Sequence, residues 1–139
     1  MTTRTSDARA VLERYLDALT EGRLDAIADS FTEDATWCLH GDLPLSGIRW
    51  GREDIMSFLV GAGSLYEPGT QQFDFGTLIA EGDTAVLEWR VRGIASATGL
   101  PYDNEYCGIF EIVDGRISAV REYLDSLHAS EVLFTPERV

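Results

Sequence analysis

At about residue 70 the side-chain period of this chain changes from about 3.6 residues to two, and the breaks that follow are too short for anything but hairpins. Gln71–Ala80, Thr84–Ala97, Tyr102–Val113 and Arg116–Leu124 alternate in polarity and are rich in Val, Ile, Phe, Tyr and Trp, which predicts four strands. Only Glu81-Gly82-Asp83, Thr98-Gly99-Leu100-Pro101 and Asp114-Gly115 separate them. Parallel neighbours need a crossover of about a dozen residues or more, so these strands are expected to run antiparallel. Before residue 70 the apolar spacing is helical. Ala8, Val11, Leu12, Tyr15, Ala18 and Leu19 share one face over 7–21, with Ser6 or Asp7 as cap and Gly22 as terminator. Leu24, Ile27, Ala28 and Phe31 repeat the spacing over 24–31, and Ile55, Phe58, Leu59 and Ala62 do so over 52–62. A short strand over Ala35–His40 and a loop over Gly41–Gly51 lie between the second and third helices. Helices first and a meander after predict an α+β fold, a curved antiparallel sheet packed on three N-terminal helices.

At 139 residues the chain has room for one domain, expected over 1–139 with its core at about 7–134. Its 24 acidic residues against 11 basic ones give a net charge of −13, which repels phosphate backbones and anionic lipid. Nucleic acid and membrane are therefore not expected partners. All 11 basic residues are arginine, which excludes lysine Schiff bases, a pyridoxal-phosphate anchor and a P-loop. The polar start Met1–Asp7 has no apolar run behind it, and no stretch is long enough to span a bilayer, so a cytoplasmic protein is expected. Cys38 and Cys107 lack CxxC spacing and read as buried free thiols. His40 and His128 lack the spacing of a metal motif, so no metal and no cofactor are expected.

The last hairpin says more, because facing residues point to the same side of a sheet. A two-residue turn at Asp114-Gly115 sets Cys107 opposite Glu122; a three-residue loop with Gly115 as bulge residue sets Tyr106 there. The second register is preferred. It gathers Asn104, Tyr106, Gly108 and Phe110 with Val120, Glu122 and Leu124 on one mostly apolar face, the way small-molecule pockets are lined. Glu105, Cys107, Ile109 and Glu111 then share the other face with Ile117, Ala119, Arg121 and Tyr123. On the preceding strand Ala85, Leu87, Trp89 and Val91 form the inward row and Glu88, Arg90 and Arg92 the outward one.

Several segments resemble the nuclear-transport-factor-2-like superfamily. Arg14-Tyr15-Leu16, Gly22-Arg23-Leu24-Asp25-Ala26-Ile27 and Phe31-Thr32-Glu33-Asp34-Ala35-Thr36 look like its opening, and Gly51-Arg52-Glu53-Asp54-Ile55 like the start of its third helix. Asp114-Gly115-Arg116-Ile117 with Arg121-Glu122-Tyr123-Leu124-Asp125 is similar to the closing hairpin of its SnoaL-like polyketide cyclases and ketosteroid-isomerase-like members. The resemblance covers about 7–134. It implies a cone-shaped sheet, a deep pocket between sheet and helices, and a homodimer formed through the outer sheet face. Tyr15 matches the isomerases' first-helix tyrosine. Their general-base aspartate falls on Leu39, beside His40, and their protonated oxyanion-hole aspartate near Cys107 or Tyr106, so neither carboxylate is present. The last aspartate of the limonene-epoxide-hydrolase branch matches Glu122, whereas its arginine and first aspartate fall on Trp89 and Val91; a shift of one residue offers Arg90. SnoaL-like cyclases use one carboxylate in an apolar pocket, which Glu122 fits.

Glu122 is thus the first candidate proton carrier, because an apolar wall raises a carboxyl pKa toward neutrality; a salt bridge to an arginine is the alternative. His40, with Asp42 near to orient it, is the other. Tyr15, Tyr106 and Asn104 are candidate donors to a carbonyl or enolate oxygen. Trp37, Trp50, Trp89, Phe58 and Leu124 are expected to shape the pocket around an apolar small molecule. Asp125 is expected to cap a final turn over 126–133. Three functions follow as alternatives: a cofactor-independent isomerase or cyclase working beside a carbonyl, a non-catalytic ligand-binding or dimeric accessory protein, and an epoxide-opening enzyme that needs Arg90 turned inward.

Overall fold

A computed structural model describes residues 4–134, with the side chains of residues 4–7 outside that description. Helices α1 (Arg4–Glu21) and α2 (Leu24–Asp29) come first, then strands β1 (Phe31–Leu39) and β2 (Gly47–Trp50) and helix α3 (Arg52–Gly63). Strands β3 (Gln72–Glu81), β4 (Thr84–Ile94), β5 (Pro101–Val113) and β6 (Arg116–Leu124) follow, and α4 (Ser126–Val132) closes the order. One curved six-stranded sheet has the order β2-β1-β6-β5-β4-β3.

The meander β3 to β6 is antiparallel throughout, as its short breaks require. The sheet as a whole is mixed, because β1 lies parallel to β6. Most of the chain separates these two strands, so no tight turn dictates their relative direction. The expected loop over 41–51 contains β2, an edge strand pairing Trp37 with Arg49 and Cys38 with Ile48. Four residues beside several glycines carry too little periodicity to be read as a strand. Phe31, expected on the second helix, opens β1 and remains fully buried.

Helix α1 begins at Arg4, so Ser6 and Asp7 fall within it rather than at its cap, and their side chains lie outside the described residues. Its end is as expected. Gly22 takes φ 67°, its N–H donates to Leu19 O at 3.1 Å, and Arg23 N–H donates to Ala18 O at 3.1 Å, the left-handed C-cap that glycine accepts most readily. The buried stripe of α1 packs with Ile55 of α3 against inward residues of the sheet, including Phe31, Trp37, Leu87, Phe110 and Val120. A second cluster joins Ala129, Val132 and Leu133 near α4 to Tyr66, Val91, Ala95 and Tyr102. Asp125 caps α4 by accepting from His128 N at 3.2 Å.

The β5–β6 register corrects the expectation of Tyr106 opposite Glu122. Asp114 and Gly115 form a two-residue turn with φ 51° and 76°, pairing Val113 with Arg116 and Ile112 with Ile117. Ser118 is then an extra residue in β6, its hydroxyl donating to Glu111 O at 3.2 Å, and Glu111 pairs with Ala119. Beyond this bulge Gly108 faces Glu122 and Tyr106 faces Leu124. The expected face therefore survives by a different route. Ile117, expected outside, lies before the bulge and is fully buried.

Candidate functional site

Between the three N-terminal helices and the concave face of the sheet lies a cavity of about 250 Å³. Leu16 and Leu19 of α1, Met56, Phe58 and Leu59 of α3, and Trp37, Trp89 and Phe110 of the sheet supply much of its apolar wall. Leu24, Val60 and Phe73 also line it while remaining exposed, which makes its rim apolar as well. Two glycines allow the wall its shape. A Cβ on Gly108 would stand 2.9 Å from both Trp89 Cζ3 and Phe110 Cε1, and one on Gly93 would stand 2.8 Å from Tyr66 Cδ1. Trp89 accordingly lies over Gly108 and stacks on Tyr106 at 5.4 Å between centroids.

Glu122 is the cavity's carboxyl group. It lines the wall, is 7 % exposed, and accepts a hydrogen bond from Trp37 Nε1 at 2.9 Å. Loss of hydration pushes its pKa up to about 7, against the opposing pull of the Trp37 N–H and the positive charge of Arg49. An alternating strand puts Trp37 and Glu122 on one face, and the parallel β1–β6 pairing brings the two strands side by side. Arg49 was not singled out by its sequence context. The β1–β2 hairpin sets it opposite Trp37, its guanidinium lies 4.3 Å from the centre of the Phe58 ring, and it donates to Leu45 O.

Tyr15 lines the cavity and is almost fully buried, meeting Phe31 edge-on at 5.5 Å. Burial, aided by the charge of Glu122, raises its phenol above the ordinary range. Tyr106 lines the cavity too, as does Tyr66, which sequence reasoning missed because it lies outside any periodic segment. Asn104 stands behind the wall, outside the cavity lining. Its amide donates to Tyr102 Oη at 2.7 Å and to Asp125 O at 2.9 Å, while its oxygen accepts from Glu105 N at 2.8 Å.

Other expected residues lie elsewhere. His40 stands on the outer sheet face, exposed, stacked on Tyr123 at 4.3 Å and 3.6 Å from Cys38 Sγ. Residues alternate along β1, so with Trp37 and Leu39 inward, Cys38 and His40 turn out. Trp50 is 69 % exposed, on the edge strand β2 rather than in the pocket. Leu124 packs in the second cluster instead of lining the cavity. Trp37, Trp89 and Phe58 line it as expected. Arg90 is on the outer face, paired with Asp103 at 3.2 Å and Glu105 at 2.7 Å, so it does not stand beside Glu122. The cysteines are free and half-buried rather than buried. Among the described residues no group of three or more His, Cys, Asp or Glu is placed to hold a metal, and no helix is long and apolar enough to cross a membrane.

A family model described as a SnoaL-like domain matches residues 12–120. Among solved structures, Bal32a from a soil-derived mobile gene cassette is 23% identical, with 91% of this chain and 95% of that one covered at a TM-score of 0.82. An NTF2-like protein from Burkholderia xenovorans LB400 is 16% identical over 96% of this chain and 100% of its own, with a TM-score of 0.80. TerC, co-crystallised with polyporic acid, is 16% identical over 91% of this chain and 98% of its own, with a TM-score of 0.78. At these identities the likeness is one of fold.

Proposed function

The chain belongs to the SnoaL-like domain family, and from that premise we propose that it is a cofactor-independent enzyme that moves a proton at the carbon beside the carbonyl of an apolar small molecule. One observation carries this reading: a single carboxyl group, buried in an apolar cavity, with its pKa pushed up to about 7. In its ionised form Glu122 takes a proton from the α-carbon, the C–H pair becomes the enolate double bond, and the carbonyl π pair moves to oxygen. A donor on the wall holds that oxygen, and Glu122 returns the proton at the same or a neighbouring carbon, which makes the reaction an isomerisation or the opening step of a cyclisation. A small-molecule ligand in TerC, a relative by fold, is in keeping with this use of the cavity.

The test is exchange of the methyl hydrogens of 2-acetylnaphthalene in deuterated water. The wild-type rate should rise with pH up to about 7 and level off above it, since the base is the ionised form. Glu122→Gln should lower the rate about 10²–10⁴-fold while leaving the fold intact. A change of less than severalfold would remove Glu122 from the mechanism. It would favour the second reading, a ligand-binding protein without chemistry, which draws support from the apolar Leu39 at the position of the isomerase base. The outer sheet face, where Trp50, Ile48 and Tyr123 are exposed, is proposed to meet a second copy of the chain.

A further inference from the structure

Behind the cavity a chain of hydrogen bonds runs from the start of α4 to one wall residue, Tyr106. Asn104 gives one amide hydrogen to Asp125 O and the other to Tyr102 Oη. The Tyr102 and Tyr106 hydroxyls are 2.7 Å apart. The amide cannot be turned round, because its oxygen already accepts from Glu105 N. This fixes the sense of the whole chain. Tyr102 is buried, does not line the cavity, and receives a hydrogen from Asn104, so its own hydrogen goes to Tyr106. Two amide and two phenolic hydrogens then serve three bonds, and one hydrogen is left over. It belongs to Tyr106, which lines the cavity.

We infer that the Tyr106 hydroxyl is a donor site for a carbonyl or enolate oxygen of the ligand, with Tyr102 and Asn104 as positioning residues that aim its hydrogen without touching the ligand. The site accordingly selects molecules with an oxygen acceptor and an apolar body. Burial raises both phenols above their ordinary range, so each keeps its hydrogen at neutral pH. The inference rests on the cavity being a ligand site, as proposed above, but not on Glu122 being a base.

Asn104→Asp supplies the test, because it changes no shape yet reverses the chain. The carboxyl group there, protonated toward Asp125 O, accepts from Tyr102, and Tyr102 accepts from Tyr106, so Tyr106 has no hydrogen left for the cavity. The probes are 2-acetylnaphthalene and 2-isopropylnaphthalene, which share a shape and differ in the oxygen. Binding is read by quenching of tryptophan emission, since Trp37 and Trp89 line the cavity. The wild type should favour the ketone about fivefold to tenfold, with the bound carbonyl stretch moved to lower wavenumber. Asn104→Asp should lose that preference and return the stretch toward its position in apolar solvent, with binding of the hydrocarbon unchanged. Tyr106→Phe should do the same, and it decides the matter if Asn104→Asp does not fold. A ketone preference retained in either folded variant overturns the inference. Equal binding of both probes by the wild type overturns it too, leaving the Glu122 reading standing, whereas binding of neither overturns both.

Discussion

Glu122 holds its proton more tightly in the folded chain than an exposed glutamate does, and the consequence reaches beyond catalysis. Its pKa rises from 4.5 to about 7 because the cavity withholds water from the ionised form, which the Trp37 N–H only partly replaces. Between these two values the folded state binds more proton than the unfolded state, so stability falls as pH climbs through this window and is level above it. The size of the displacement corresponds to about 3 kcal/mol. Glu122→Gln lacks the titration but keeps an acceptor for Trp37. Relative to wild type, the variant should therefore gain about that much stability from below pH 4.5 to above pH 7. Urea unfolding of both proteins at the two ends of the range measures it, and a constant difference would mean that the carboxyl is hydrated.

At the scale of elements, one residue decides which way this carboxyl points. The Asp114-Gly115 turn alone would set Cys107 against Glu122 and turn Glu122 to the outer face. Ser118, bulged from β6, restores it to the cavity side together with Val120. Deleting Ser118 should move every later residue of β6 to the wrong face, exposing Val120 and burying the Arg121 position. Such a chain is expected not to unfold cooperatively, and a native near-ultraviolet circular dichroism spectrum from it would contradict this account. The position of the turn was legible from Asp-Gly between two alternating runs, but the three-residue loop preferred there is a two-residue turn, and the bulge at Ser118 was not legible, since no residue type marks it as strongly as glycine marks a left-handed turn.

For the molecule as a whole, the remaining question is what covers the outer face. Ile48 and Trp50 of β2 and Tyr123 of β6 expose apolar side chains there, at 50, 69 and 42 %. Light scattering should find a dimer in the wild type, and Trp50→Glu should shift it to monomer with the cavity unaltered; a monomeric wild type would remove the proposed contact. Apart from β2, the order of helices and strands was legible in the sequence, as were the antiparallel meander, the Gly22 terminator and the Asp125 cap, because each depends on neighbours within a few residues. The face shared by Glu122, Tyr106 and Phe110 was legible too, since alternation along a strand is local. Tertiary structure alone decided the parallel seating of β1 beside β6, which brings the Trp37 N–H to Glu122, and the seating of His40 on the outer face. It also decided the meeting of Asn104 with Asp125 behind the cavity and of Tyr66 with Tyr102. Those arrangements join residues far apart in the chain, and side-chain spacing carries no information about which distant strand will supply the missing backbone partners.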